Sequence, residues 1–339
     1  MDYQQRLIWI DSLKGWLMVL VVIGHAIQSV LKDACYDNSV WNFIYSFHMP
    51  AFVALSGWLM YKKKVNCESV HGEYFKLIKR RFFQLMIPYF LWSIIKLSFS
   101  GCFTIKRIIG IVLFPDTSFW FLWVLFWIWL LFTLGQKVSN LISVDELIVL
   151  LIMSIFLMGG MAIFELRFFG FQFISYYFIF YILGYMFHRF GLFARLNDKL
   201  VLLCLLIWLC LALGWNMHSL PSWIPSIPYV PSSLVQYSYR GLTATFAIIV
   251  LLYYSPHRLI KTCGFHRLIA WSGKVSLGIY VVHLILLGFI TGFLQSLDFS
   301  LGSIIYIIIS ALFVYLLSIA CVYVLMKNKY TARYLLGKI

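Results

Sequence analysis

Apolar residues fill most of the chain in runs of about twenty, and the charged residues gather in the short stretches between them. Ten runs stand out, at 13–31, 41–60, 82–99, 119–135, 147–164, 173–187, 200–218, 237–254, 275–294 and 302–326. A helix rises about 1.5 Å per residue, so runs of about twenty match the roughly 30 Å hydrocarbon core of a bilayer. The pattern predicts an all-α, polytopic integral membrane protein with about ten transmembrane helices. It forms one membrane-embedded domain over residues 1–339, with loops too short for a separate soluble domain.

Composition sharpens this. Only 12% of the 339 residues are charged, 63% are hydrophobic, and the mean hydropathy is +0.90. No soluble domain hides that much apolar surface, so disordered, disulfide-scaffold, coiled-coil and soluble Rossmann or barrel classes are excluded.

The net charge of +15 would suggest nucleic acid in a soluble protein, but here its placement decides. With both termini inside, the amino end, inner loops and tail hold 21 Lys/Arg and the outer loops only four, Lys32, Lys106, Arg107 and Arg167. The basic excess therefore reports topology, with cytoplasmic termini, membrane lipid as partner and no nucleic acid. The run Lys62-Lys63-Lys64 is a positive-inside anchor or a contact with anionic lipid.

The seven cysteines form no CxxC pair and keep no metal-ligand spacing with the histidines, so no metal is expected. Cys35 and Cys102 both fall on the outer side, where they could pair. The first run lacks a small-residue cleavage site and carries Lys14 and His25, so it counts as a span and not a signal peptide. No internal or inverted repeat is present, which weighs against the commoner transporter architectures. The outer loop 219–238 carries Pro221, Pro225, Pro228 and Pro231 with Trp223, Tyr229 and Tyr237. It is stiff and extended, and its rings suit either the lipid interface or the face of a sugar.

An ionisable group within a span is costly unless it meets a cavity or a partner. His25, His48, Lys96, Arg240 and His283 are such groups, whereas no Asp or Glu lies deep in a span, which counts against proton-coupled transport. On one helix, Lys14 and His25 are eleven steps apart, three turns plus about 20°, so they share a stripe about 16 Å long. Asp11 neighbours Lys14 at the inner end. Such a stripe suits an anionic cytoplasmic donor at one end and a hydroxyl at the other. Alternatively Lys14 snorkels and His25 bonds a neighbouring helix.

His48, seven residues from the outer end of the second run, lies at the same depth as His25, about 10 Å below the boundary. Pro50 follows it closely, frees a carbonyl and kinks the span, and Ser56-Gly57 allows a close helix approach. A neutral imidazole is the side chain best suited to take a proton from an alcohol near neutral pH. No GxSxG or comparable nucleophile constellation is present, so direct general-base acyl transfer fits these residues better than a covalent acyl-enzyme. The inner loop 61–81 ends in Lys76, Lys79, Arg80 and Arg81, cations that bind donor phosphates or serve as plain anchors.

Several stretches resemble the membrane acyltransferase-3 proteins, in particular their fucose 4-O-acetylase-like branch. They are Trp9-Ile10-Asp11-Ser12-Leu13-Lys14-Gly15 leading to Val21-Val22-Ile23-Gly24-His25, and Ser46-Phe47-His48-Met49-Pro50 leading to Leu55-Ser56-Gly57. Further matches are Arg81 with Ile87-Pro88-Tyr89, Phe119-Trp120-Phe121-Leu122, and Ser276-Leu277-Gly278-Ile279-Tyr280-Val281-Val282-His283. The resemblance implies about ten helices and transfer of an acyl group, usually acetyl from acetyl-CoA, to an extracytoplasmic or membrane-associated glycan. It also implies that Lys14 and His25 are the family's essential basic residue and histidine. Of the family's paired arginines only Arg81 matches. Gln84 stands at the second position, leaving Arg80 or Lys79 to substitute.

The expected function is therefore an inner-membrane O-acetyltransferase of bacteria that modifies a surface-polysaccharide sugar. His25 is its base, with Asp11, Lys14 and His48 in support. Acetyl-CoA is held by Lys14, Arg80 and Arg81, and the acceptor by Arg240, His283 and Trp120. The rivals are a glycan or lipid transporter, or transfer of another acyl group such as succinyl.

Overall fold

The computed structural model describes residues 3–61, 71–101, 103–115, 119–164, 166–225, 230–259, 264–296 and 302–338. Lys62-Lys63-Lys64, Cys102 and hence its pairing with Cys35, and Pro228 and Tyr229 lie outside the described residues. Among the described residues the regular elements are all helices. The chain begins with α1 (Tyr3–Leu31), a 3-10 turn at Lys32–Asp37, α2 (Ser39–Tyr45), α3 (His48–Met60), α4 (His71–Phe99) and α5 (Ile105–Leu113). It continues through α6 (Trp120–Ile142), α7 (Glu146–Phe164), α8 (Phe171–Arg189), α9 (Leu192–Arg195) and α10 (Asp198–Leu213). Last come α11 (Ser232–Arg258), α12 (Phe265–Lys274), α13 (Ser276–Ser296), α14 (Ser303–Lys327) and α15 (Lys329–Tyr334).

Eight stretches among the described residues are long and apolar enough to cross a membrane: Ile8–Asp37, Ser39–Met60, Tyr74–Phe99, Trp120–Ile142, Phe168–Arg189, Ser232–Pro256, Ser276–Leu294 and Ser303–Lys327. The protein is an all-α, multi-pass membrane protein. The other two runs fall on α7, whose apolar stretch is the shorter Glu146–Met161, and on α10, which stops at Leu213. A helix of 16 residues is about 24 Å long. The helix ends at Leu213, five residues before the end expected from hydropathy; the chain turns at Gly214, and Asn216 caps the next backbone amides.

The helices gather into two compact units, residues 1–52 with 191–324 and residues 53–190 with 325–339. In the first, α1 is the central element and packs along α12, α13, α11 and α2. Backbones approach most closely where Gly15 meets Gly273. A Cβ on Gly15 would lie 2.0 Å from the Ile269 carbonyl oxygen, and one on Gly273 1.7 Å from that of Asp11. Only glycine fits either place. Tyr315 donates to Ser272 Oγ at 2.8 Å and Ser29 to Thr291 Oγ1 at 3.1 Å, satisfying hydroxyls where lipid offers no partners.

In the second unit the close approach expected at Gly57 is made to α8. A Cβ on Gly57 would meet the Tyr181 carbonyl oxygen at 1.9 Å, and one on Gly184 that of Ala54 at 1.8 Å. Glu146, at the start of α7, accepts from Tyr185 and from Gln136 Nε2 (3.0 Å) and pairs with Arg189 at 3.2 Å. Arg189 also bridges Asp145 at 2.7 Å. Asp145 lies outside the spanning helices, and its bonds from Arg189 and the Leu147 amide hold its carboxyl below the usual range.

Candidate active site

The kink expected at Pro50 is a full break. Hydropathy joins residues 41–60 into one run, but the helix stops at Tyr45 and restarts at His48. Proline has no amide hydrogen, and its ring disfavours a carbonyl one turn earlier, so the ladder opens just before it. The imidazole of His48 takes over one carbonyl there, with Nδ1 donating to Ile44 O at 2.7 Å. A carbonyl only accepts, so Nδ1 carries the proton and Nε2 keeps its lone pair. His283 on α13 repeats this device, donating from Nδ1 to Ile279 O at 3.0 Å.

The sequence placed His25, His48 and His283 in three separate runs, and the structure brings them together. His25 on α1 has its ring centroid 5.3 Å from that of His283, at an interplanar angle of 44°. It is an electrostatic neighbour of both other histidines. Between His25 and His48 stands Tyr45, 6.3 Å from the first and 4.8 Å from the second by ring centroids, each edge-on. Exposure separates their roles. His48 and His283 are 2% and 0% exposed, whereas His25 keeps accessible surface. Of the three, only His25 keeps surface that another molecule could touch.

Two residues in this cluster went unremarked in the sequence. Tyr45 donates to Gln28 Oε1 at 3.3 Å, so Gln28, one turn after His25, ties α1 to α2 beside the imidazole. Their signal was spacing, since Gln28 is i+3 from His25 and Tyr45 is i−3 from His48. His188, also unremarked, stacks on Trp58 at 3.9 Å and donates to its carbonyl at 2.7 Å, a packing role in the second unit.

Lys14 and His25 do share the uninterrupted α1, and at the far end of the stripe Asp11 has Lys14 and Lys274 as charged neighbours. Lys274, from α12, was not singled out in the sequence. Arg240 lies with its guanidinium carbon 5.3 Å from the Trp215 ring centroid and 5.9 Å from that of Tyr237. Trp215 belongs to a buried hydrophobic cluster with Ile27, Cys35, Trp41 and Tyr239.

The remaining candidates belong to the second unit. Arg80 and Arg81 do not end a loop as expected, because α4 already begins at His71 and carries both. Successive helical residues point about 100° apart. Arg80 is accordingly exposed, while Arg81 donates to Gln84 Oε1 at 2.9 Å and lies over the Trp129 ring at 5.7 Å. Trp120 stacks between Phe173 and Tyr177 of α8 at 4.7 and 5.4 Å. Among the described residues no three His, Cys, Asp or Glu side chains are grouped to hold a metal ion.

The acyltransferase-3 family model, described as an acyltransferase domain, matches residues 7–323. The chain belongs to this acyltransferase family. Among individual proteins, it is 30% identical over 125 residues to the nodulation protein NolL of Mesorhizobium japonicum, covering 34% of this chain and 32% of that protein. It is 34% identical over 90 residues to the nodulation protein NolL of Sinorhizobium fredii, covering 26% and 23%. The matches thus span about a third and a quarter of the length of these curated relatives. No solved structure matches the chain. The acyltransferase-3 match runs through all three histidines, Lys14 and both arginines of α4.

Proposed function

We propose that the protein is an O-acyltransferase of the bacterial inner membrane, moving acetyl from acetyl-CoA to a sugar hydroxyl of a surface polysaccharide. The observation that carries this is the clustering of His25 with His48 and His283 inside spanning helices of an acyltransferase-family chain, with His25 alone of the three accessible. Neutral His25 takes the hydroxyl proton as the sugar oxygen bonds to the thioester carbonyl. The carbon–sulfur bond then breaks, and the leaving thiolate recovers that proton from His25. Atoms balance, giving the acetyl ester and free CoA, with no acyl-enzyme on the way.

The cationic end of the stripe, Lys14 with Lys274 close to Asp11, suits donor phosphates. In the second unit Arg81, its guanidinium preset by Gln84, is the candidate for a donor phosphate that the family resemblance suggests. The acceptor reading rests on the family resemblance. Arg240, held over Trp215, is the candidate donor to the developing oxyanion or to the acceptor. Purified protein in detergent, given acetyl-CoA and polysaccharide precursor, is expected to release CoA and add an acetyl mass to the glycan. A preparation that folds but releases no CoA with any glycan acceptor contradicts this function.

A further inference from the structure

His283 is wholly buried, and its Nδ1 is committed to Ile279 O. That bond fixes the tautomer, so Nε2 is an acceptor and nothing else. Among the described residues no donor reaches this nitrogen. A buried acceptor without a donor carries a standing cost, which calls for an explanation beyond packing.

The nearest polar ring is that of His25, at 5.3 Å between centroids. An N–H···N bond of about 3 Å, plus roughly 1.1 Å from each centroid to its nitrogen, spans the same distance. The two rings are tilted by 44° at that distance, so the hydrogen bond proposed here asks of the His25 ring a turn about χ2.

We propose that His283 is the positioning partner of His25: its Nε2 accepts a hydrogen bond from one His25 ring nitrogen and aims the other, with its lone pair, at the acceptor hydroxyl. This rests on His25 being the base. When His25 takes the hydroxyl proton it becomes an imidazolium, and its N–H toward His283 becomes a charge-assisted donor. The proton taken leaves with the thiolate, and His283 keeps its own throughout. The roles parallel base and orienting group in hydrolase triads, with an imidazole lone pair where those use a carboxylate.

Two conservative variants separate positioning from packing, because each keeps one half of the ring's hydrogen bonding. His283→Asn retains a donor at the δ position for Ile279 O and lacks the ε acceptor, whereas His283→Gln supplies an ε acceptor and lacks the δ donor. Positioning predicts that Asn lowers kcat by about 10²-fold with KM for both substrates within about twofold, while Gln stays within about tenfold of the parent. Packing alone predicts the reverse order, and a His283→Asn protein with full kcat overturns the inference. Should neither variant give a parental melting curve, His283→Ala with added imidazole replaces them. Recovery of kcat with imidazole supports the role, and a folded protein that does not recover refutes it. An inactive parent or an active His25→Ala protein sinks the proposed base and this inference together. An active parent, a dead His25→Ala and an unimpaired His283→Asn sink this inference alone.

Discussion

Arg81 and Gln84 sit one turn apart on α4, and the guanidinium Nη1 donates to the amide Oε1 at 2.9 Å. The bond orients one face of the guanidinium without supplying a second charge. Arg80 next to it is exposed and makes no such bond among the described residues.

Arg81→Ala should therefore raise KM for acetyl-CoA about tenfold, equivalent to about 1.4 kcal/mol of binding, with a smaller change in kcat. Arg80→Ala should change KM less than about threefold. Initial rates against donor concentration check both, and equal effects at the two positions contradict the assignment.

The bond from His48 Nδ1 to Ile44 O, at 2.7 Å, is the short one to a carbonyl whose backbone bond across the break before Pro50, from the Phe47 amide, is 3.4 Å long. His48→Leu should destabilise the protein by about 1–3 kcal/mol, whereas His48→Asn, with a donor at the δ position, should lose less than about 1 kcal/mol. Thermal melts in detergent measure both, and a leucine variant as stable as the parent removes the structural role given to this bond.

Gly273 lies against the Asp11 carbonyl, where a Cβ would sit 1.7 Å from the oxygen, whereas Gly110 in α5 faces open space. Gly273→Ala should cost about 1–3 kcal/mol by forcing α1 and α12 apart, and it should reduce activity because Lys14 and His25 ride on α1. Gly110→Ala should be neutral or stabilise by up to about 1 kcal/mol. Melting curves and rates for the pair test the packing directly; equal melts refute it.

Asp145 is held below the usual carboxylate range by its bonds from Arg189 and the Leu147 amide. A depressed folded-state pKa stabilises the folded protein above the unfolded value, about 3.9, and the benefit fades as pH falls through the folded value. The stability gap between the parent and Asp145→Asn should be constant from neutrality to about pH 5 and should close below about pH 4. Because the pair is exposed, the gap is small and shrinks with salt. Melts across pH check the sign, and a gap that widens in acid is the contrary result.

Hydropathy located the long apolar helices, because a helix satisfies its own backbone in lipid, but it missed the shorter α5, α12 and α15. It misjudged ends where a local device intervenes: the break at Ser46-Phe47, the stop at Gly214, and the start of α4 at His71, which turned a presumed basic loop into helix. His25, His48 and His283 were legible because an ionisable side chain in an apolar run stands out. Their convergence was not, since α1 and α13 lie at opposite ends of the chain and no periodicity encodes which helices pack together. The tautomers of His48 and His283 were equally hidden, because each depends on a carbonyl of its own helix. Helical spacing foretold the Lys14–His25 stripe, but Lys274 joined its charged end from α12 unannounced.

The central claim is that the accessible His25 imidazole is the base for acyl transfer. The direct test compares His25→Ala with the parent for acetyl transfer from labelled acetyl-CoA to a polysaccharide precursor, with melting curves to show that both are folded. The proposed mechanism predicts a parental melting curve and transfer at background in the variant. A folded His25→Ala protein that transfers acetyl at the parental rate contradicts it.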